Sequence, residues 1–587
     1  MLKHILSCLG TYKKYAILAP MIISIEVCME ILMPLVMAKI IDNGIGNGDI
    51  HYVAKMGLLM IGMAFISLTA GVLAGRFAAV AGAGLSKGIR QKLFYKIQEF
   101  SFRNIDKFTT ASLITRLTTD VNNTQMAFMM MIRTAVRAPM MLICATLMAV
   151  YINAELALIF LIAIPVLGIS LYLISSRAYP RFQAMLNKYD KLNARVQENL
   201  TAIHLVKAFV REDHERETFR QAADQLRDSQ LRAEKLLIWI SPIMQLVMYS
   251  CMIAIAWFGG NLIIAGDMQT GELLSFISYV SQILMSLMMI SMIFIMLIMS
   301  RASALRICEV FDEPLDLTDD TADTNLQLED GSIQFKNVSF RYNLQDNAEP
   351  VLQNINLSIQ SGQTVGILGG TGASKTTLVQ LIPRLYDATE GQVIVGGHNV
   401  QEYTLNTLHN AVVMVLQKNV LFSGTIKDNL RWGNRQATDE ELMAACQAAQ
   451  AHDFIMAFPQ GYDTDLSQGG VNLSGGQKQR LCIARALLKK PQIIILDDST
   501  SAVDTATDSR IRQAFRQNLS DTTTIIIAQR ITSVMDADLI IVMDNGTINA
   551  VGTHKQLLAT NPIYQEVYYS QQKGAQSHAA NENEING

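Results

Sequence analysis

Six long apolar stretches in the first half of the chain constrain its fold more than any other feature. Away from water a backbone must satisfy its own hydrogen bonds, and a helix needs about 20 mostly apolar residues to cross a bilayer. Stretches of that kind run over about 15–41, 53–83, 126–151, 156–175, 236–265 and 273–300. Several are longer than a bilayer is thick, so they are expected to tilt or to project beyond it. The first 18 residues lack a short apolar core ending at a small-residue cleavage site, so the first stretch reads as a true span.

The connections between these stretches alternate in charge. Asp42–Asp49, Asn153–Glu155 and Gly266–Gln269 are short and carry no Lys or Arg. The longer ones are basic, with Lys87, Arg90, Lys92, Lys96 and Arg103 in one and Arg177, Arg181, Lys188, Lys191 and Arg195 in the next. Positive charge stays on the cytoplasmic side, which places the amino terminus (Lys3, Lys13, Lys14), both long loops and everything after Ser300 there. The long loops read as helical extensions of the spans. Between them lie Phe102–Phe108 and His204–Glu212, short apolar-and-charged segments suited either to docking on a soluble domain or to a solvated turn.

The chain thus divides into a six-span membrane domain over 1–310, an acidic, proline-containing linker over 311–327, a soluble domain over 328–569 and a Gln-, Asn- and Ala-rich tail over 570–587 expected to be disordered. Only 17% of residues are charged, below the roughly 25% usual in soluble proteins. The net charge of −3 offers no basic field for nucleic acid. The seven cysteines include no C-x-x-C pair, which argues against a disulfide framework or a zinc site. In the soluble domain, alternating strand-like and helix-like stretches predict a layered α/β core.

The strongest local signal is an apolar strand from Val365 running into Gly369-Gly370-Thr371-Gly372-Ala373-Ser374-Lys375-Thr376-Thr377. A phosphate-cradling loop needs small residues so that backbone N–H groups converge on the β-phosphate, a Lys for the β/γ oxygens and a hydroxyl for Mg²⁺. Further on, Ile493–Leu496 leads a buried-strand run into Asp497, a carboxylate suited to the Mg²⁺ shell. Between the two lies Leu473-Ser474-Gly475-Gly476-Gln477.

With that pentapeptide at that spacing, the soluble domain resembles the nucleotide-binding domain of ATP-binding cassette (ABC) transporters, and the six spans resemble the exporter branch. The resemblance covers nearly the whole chain. It implies a membrane all-α six-helix domain followed by a cytoplasmic α/β P-loop ATPase domain with an α-helical subdomain, using ATP and Mg²⁺. It makes Tyr342 the aromatic residue that stacks on adenine, and Gln417 the glutamine that touches Mg²⁺, beside Thr376 and Asp497. Ser501–Asp504 becomes a loop that crosses a dimer interface. Family members pair head to tail, each ATP lying between one chain's phosphate loop and the other's signature, here Leu473–Gln477.

Three positions depart from the family pattern. The glutamate expected after Asp497 as catalytic base is Asp498, which withdraws the carboxylate by about 1.5 Å where displacements near 1 Å already matter. The switch histidine at the γ-phosphate is Gln529, which donates a hydrogen bond but does not titrate near neutrality. Ser374 places a Cβ where the phosphate loop is tightest. All three fall in the site built on this chain's own phosphate loop, while the signature is intact. The resemblance therefore implies the degenerate subunit of a heterodimer, with a second half-transporter as partner.

In the membrane domain, Met285, Met288, Met289, Met292, Met296 and Met299 recur at helical spacing, as either ordinary packing or a face that accepts varied apolar shapes. Glu26 and Glu30 on the first span and Arg133 and Arg137 on the third lie at membrane depth, with Arg76 toward the cytoplasm. Ionisable groups there pair with one another or face a cavity. The resemblance implies ATP-driven alternating access that carries hydrophobic or amphiphilic compounds out of the cytoplasm or inner leaflet of a bacterial inner membrane. The alternatives are a homodimeric lipid or peptide exporter and an ATP-regulated channel or regulator.

Overall fold

The computed structural model describes residues 2–342, 349–499, 503–519 and 521–572. The chain divides into two compact units, Met1–Gln98 with Phe108–Glu313, and Glu99–Lys107 with Pro314–Gly587.

The first unit holds six apolar helical segments: Gly10–Ile45, Ile50–Gln98, Thr110–Ile152, Ala154–Thr201, Glu212–Ala265 and Thr270–Ile293, the last within a helix that continues to Asp312. The helices outrun the apolar stretches because the basic connections carry good helix formers and no cap that stops them. Pro20, Pro34, Pro139, Pro165 and Pro180 sit inside these helices.

Packing here relies on small residues. Lipid is as apolar as leucine, so helices gain by close approach rather than by hiding large side chains. Ala70, Ala74, Ala78 and Ala81 form a buried stripe on the second span, while Phe65, Leu68 and Val72 are exposed. Along the same helix a Cβ at Gly84 would stand 2.2 Å from the Tyr12 ring, and one at Gly88 2.0 Å from the Cys8 carbonyl oxygen.

The second unit is a layered α/β domain. Its strands are β1 (Ile333–Phe340), β2 (Leu352–Ile359), β3 (Thr364–Gly369), β4 (Glu390–Val395), β5 (His398–Asn399), β6 (Val412–Val415), β7 (Gly424–Thr425), β8 (Asp465–Leu466), β9 (Ile493–Asp497), β10 (Thr523–Ile527), β11 (Leu539–Asp544) and β12 (Thr547–Gly552). One sheet has the order β12-β11-β3-β10-β9-β6, parallel apart from the β11–β12 pair. A second, antiparallel sheet has the order β2-β1-β4-β5. Every residue of β9 and β10 is buried, the signature of a parallel strand covered on both faces. Between β6 and β9 come the helices Ile426–Leu430, Asp439–Ala448, His452–Met456 and Gly475–Leu487.

Register then positions the chemistry. Ile527 lies opposite both Ile367 and Asp497. The carboxyl ends of β9 and β10 are therefore level, β3 runs two residues further to Gly369, and the loops that leave the three strands meet at one edge of the sheet, where open α/β sheets bind ligands.

The two short cytoplasmic segments behave differently. Phe102–Phe108 is helical, and its stretch up to Lys107 belongs to the second unit rather than to the membrane domain. Phe102 packs against the core of the two sheets, Tyr386 donates a hydrogen bond to Asp106 at 2.9 Å, and Arg103 pairs with Asp316 at 2.8 Å. His204–Glu212 stays with the first unit and exposes Leu205, Phe209 and Val210, the last two at 68% and 81%. At the far end, residues 562–572 are helical, so Gln571 and Gln572 carry structure within the stretch expected to be a disordered tail. The rest of that tail, 573–587, lies outside the described residues.

Candidate nucleotide site

The phosphate loop leaves β3 at Gly369, where a Cβ would stand 2.4 Å from the Met543 carbonyl oxygen, so the residue type follows from close backbone approach. Gly370 and Gly372 have nothing within 4 Å of the Cβ position, which leaves that side of the loop open. Ser374 adopts a left-handed conformation, φ 66°, just before the helix Lys375–Gln380. That conformation suits glycine and costs a serine about 1 kcal/mol.

Lys375 Nζ donates to the carbonyl oxygens of Gly369 and Gly370, both at 2.8 Å. Burial lowers its pKa, opposed by the charges of Asp497 and Asp498. Thr376 Oγ1 donates to Asp497 Oδ1 at 3.0 Å. One hydroxyl beside one carboxylate is the hard-oxygen pair that Mg²⁺ takes when phosphates and water supply its other ligands. Burial raises the Asp497 pKa, with Thr376 opposing the shift. Tyr342 shares a hydrogen bond with Thr377 Oγ1 at 2.9 Å, and its ring meets Phe340 and Tyr386 edge-on. The ring therefore stands beside the phosphate loop with 41% of the residue exposed.

Asp498 also has a left-handed backbone, φ 49°, which short polar side chains tolerate best. Its amide donates to the Ile527 carbonyl at 3.0 Å, tying the turn after β9 to β10. Its Oδ2 accepts from Gln529 Nε2 at 2.9 Å. Burial raises the Asp498 pKa, and hydrogen bonds from Gln417 and Gln529 work against that rise. Gln417, Asp498 and Gln529 thus form one cluster.

The signature stands apart. Ser474 caps the helix Gly475–Leu487: its Oγ accepts from the Gln477 amide at 3.3 Å, and Gln477 Oε1 accepts from the Ser474 amide at 2.9 Å. The sequence signal for this reciprocal capping box is Ser-x-x-Gln. Leu473 is buried beneath it, whereas Ser474 and Gly475 are exposed. Among the described residues, no hydrogen bond or ion pair joins Leu473–Gln477 to the phosphate loop. Asp504 caps the helix Thr505–Asn518 by accepting from Thr507 at 2.9 Å, and those bonds lower its pKa. Ser501 and Ala502 lie outside the described residues.

In the membrane unit, Arg137 pairs with Glu26 at 2.5 Å and with Glu30 at 2.7 Å. Arg133 and Arg76 are exposed and make no ion pair among the described residues. Met285, Met288 and Met292 are exposed along one side of the sixth span, Met289 and Met296 are half-buried, and the side chain of Met299 lies outside the described residues.

Known proteins match nearly the whole chain. Residues 17–288 match the family described as the ABC transporter transmembrane region, and residues 352–501 match the ABC transporter family. An uncharacterized ABC transporter ATP-binding protein of Bacillus subtilis, YfiB, is 38% identical over 96% of this chain and 98% of its own length. A Staphylococcus aureus protein with the provisional name of multidrug export ATP-binding/permease protein is 33% identical over 97% of this chain and 99% of its own. The solved structure of a bacterial Atm1-family ABC exporter with ATP bound shares the fold, with a TM-score of 0.82 at 24% identity over 96% of this chain and 99% of that one. Six membrane helices, an ATP-binding α/β domain and full-length relatives of the same build make this chain a member of the ABC transporter family, an exporter-type half-transporter with its ATPase domain in the cytoplasm.

Proposed function

We propose that this chain is one subunit of a heterodimeric exporter of hydrophobic or amphiphilic compounds, holding ATP at its own phosphate loop while its signature completes the hydrolytic site of a related partner. The observation that carries this reading is the 2.9 Å hydrogen bond between Gln529 and Asp498. A catalytic base must accept a proton from water at the far side of the γ-phosphate. Here the carboxylate is one methylene short, and Gln417 and Gln529 both donate to it. Gln529 cannot exchange a proton near neutral pH. These residues are suited to holding a nucleotide rather than turning it over.

Thr376, Asp497 and Gln417 would hold Mg²⁺, which supplies charge stabilisation on the β- and γ-phosphate oxygens. Lys375 would leave the two loop carbonyls for those oxygens, and Tyr342 would stack on adenine. The exposed signature supports a second subunit, as does the apolar surface of Leu205, Phe209 and Val210. On the substrate side, the exposed Met285, Met288 and Met292 suit compounds of varied apolar shape. The provisional multidrug-export name of the S. aureus relative agrees with that class.

The test is the Mg-ATPase rate of the purified chain, alone and with its candidate partner, with and without Asp498→Glu plus Gln529→His. Little activity alone, activity in the pair, and a gain on restoring both residues are expected. Brisk hydrolysis by the unaltered chain alone would make it a homodimer.

A further inference from the structure

We infer that Gln571, on the last described helix, is a positioning residue for the segment that presents Gln529 to the nucleotide. Its side-chain amide makes two hydrogen bonds at once. Nε2 donates to the Gln529 carbonyl at 2.8 Å, and Oε1 accepts from the Ile531 amide at 2.9 Å. Those two backbone groups flank Arg530 and point the same way, as they would toward a neighbouring strand. A primary amide carries one donor edge and one acceptor edge, as a peptide group does, so Gln571 stands in for one rung of that strand.

The helix carrying Gln571 is itself anchored. Tyr564 is fully buried, its hydroxyl 2.7 Å from His554 Nδ1 and its amide donating to Asn561 Oδ1 at 2.8 Å. Ile563, Val567 and Tyr568 pack against the core that contains Ile531 and Val534. Two turns separate Tyr564 from Gln571, so the helix is a short strut from a fixed corner to the segment after β10. On its other side the segment is pinned where the Ala528 amide donates to the Ile367 carbonyl of β3. Gln529, between these two restraints, reaches Asp498. Loosening the Gln571 end lets the Gln529 backbone rotate and its amide leave the place where a γ-phosphate would meet it.

This inference rests on the reading that the chain's own phosphate loop holds ATP, and it concerns the γ-phosphate alone. The readout is the preference for MgATP over MgADP, measured by competition against trinitrophenyl-ATP on the full-length chain in nanodiscs. Gln571→Ala should cut that preference about three- to tenfold, the usual weight of one or two hydrogen bonds. Gln571→Glu keeps the acceptor but sets a carboxylate against the Gln529 carbonyl, and should lose at least as much. In a Gln529→Ala background, Gln571→Ala should change the preference by less than about twofold, because the side chain it positions is gone. An unchanged preference in Gln571→Ala, or an equal loss in both backgrounds, overturns the inference. If the unaltered chain binds neither nucleotide, the own-site reading falls, and the positioning role with it.

Discussion

Around the phosphate loop, each functional side chain finds its partner within the chain. Lys375 bonds the loop carbonyls, Thr376 bonds Asp497, and Gln529 bonds Asp498. In the signature, Ser474 and Gln477 cap their own helix, and Ser474 and Gly475 are exposed. One half of the nucleotide machinery is internally satisfied, and the other is exposed. On the function proposed above, the difference teaches that the two halves answer to different partners, the first to a nucleotide held in this chain and the second to one held elsewhere.

The sharpest way to break that comparison is to disable each half in turn within the assembled transporter. Ser474→Arg should lower ATP turnover roughly a hundredfold, the scale of losing a transition-state donor, while Lys375→Ala should lower it less than about fivefold. Equal losses in the ATPase assay would mean that both halves serve one kind of site. Next in size is restoration: Asp498→Glu with Gln529→His should raise turnover at this chain's site by about tenfold, a fraction of what a positioned base contributes. Each single change should give less than its share, since the two side chains are hydrogen-bonded and do not act independently. Additive single effects would sink that coupling.

A smaller effect is expected at Ser374. Replacing it with glycine removes about 1 kcal/mol of left-handed strain that is present without nucleotide, and should stabilise the nucleotide-binding unit by about that amount, read by thermal unfolding. Ser474→Gly, at an ordinary extended cap, should bring no such gain.

The smallest effect tests both halves together. Burial holds the His409 pKa below its ordinary 6.5, and its Nε2 lies 2.9 Å from the Pro383 carbonyl, so the neutral ring is the donor. As pH falls, the unfolded chain takes up that proton first. The stability contributed is full above pH 6.5 and declines as pH falls through that value toward the depressed one. Thermal unfolding of the nucleotide-binding unit should show a modest loss over that range, absent in His409→Gln. A loss confined to one half would mean that the halves unfold separately.

Much of this machinery could be read before any fold was known. The six spans, the phosphate loop, Asp497 and the signature are runs whose meaning is carried by neighbours in sequence. Three matters were not legible. Glu26 and Glu30 are both taken by Arg137 and not by Arg133, one turn away, because the choice depends on how two spans are rotated against each other. Phe102–Phe108 and His204–Glu212 look alike in composition, yet only the first has Tyr386, 280 positions from Asp106, to receive it. Gln571 looked like the start of a polar tail, since nothing in its neighbourhood points to Gln529, 42 positions back.

Sequence by itself determined that the chain crosses a membrane six times and carries a nucleotide-binding loop. Those conclusions rest on apolar length and loop chemistry, which are local, whereas the departures at Ser374, Asp498 and Gln529 are expectations drawn from the family resemblance. Tertiary structure alone decided that Asp498 and Gln529 touch, that Gln571 holds the backbone between them and the core, and that one cytoplasmic segment is docked while the other is bare. Each of those depends on strands β9 and β10 lying level, or on a helix docking after a long excursion, and such contacts are set by packing between elements distant in the chain.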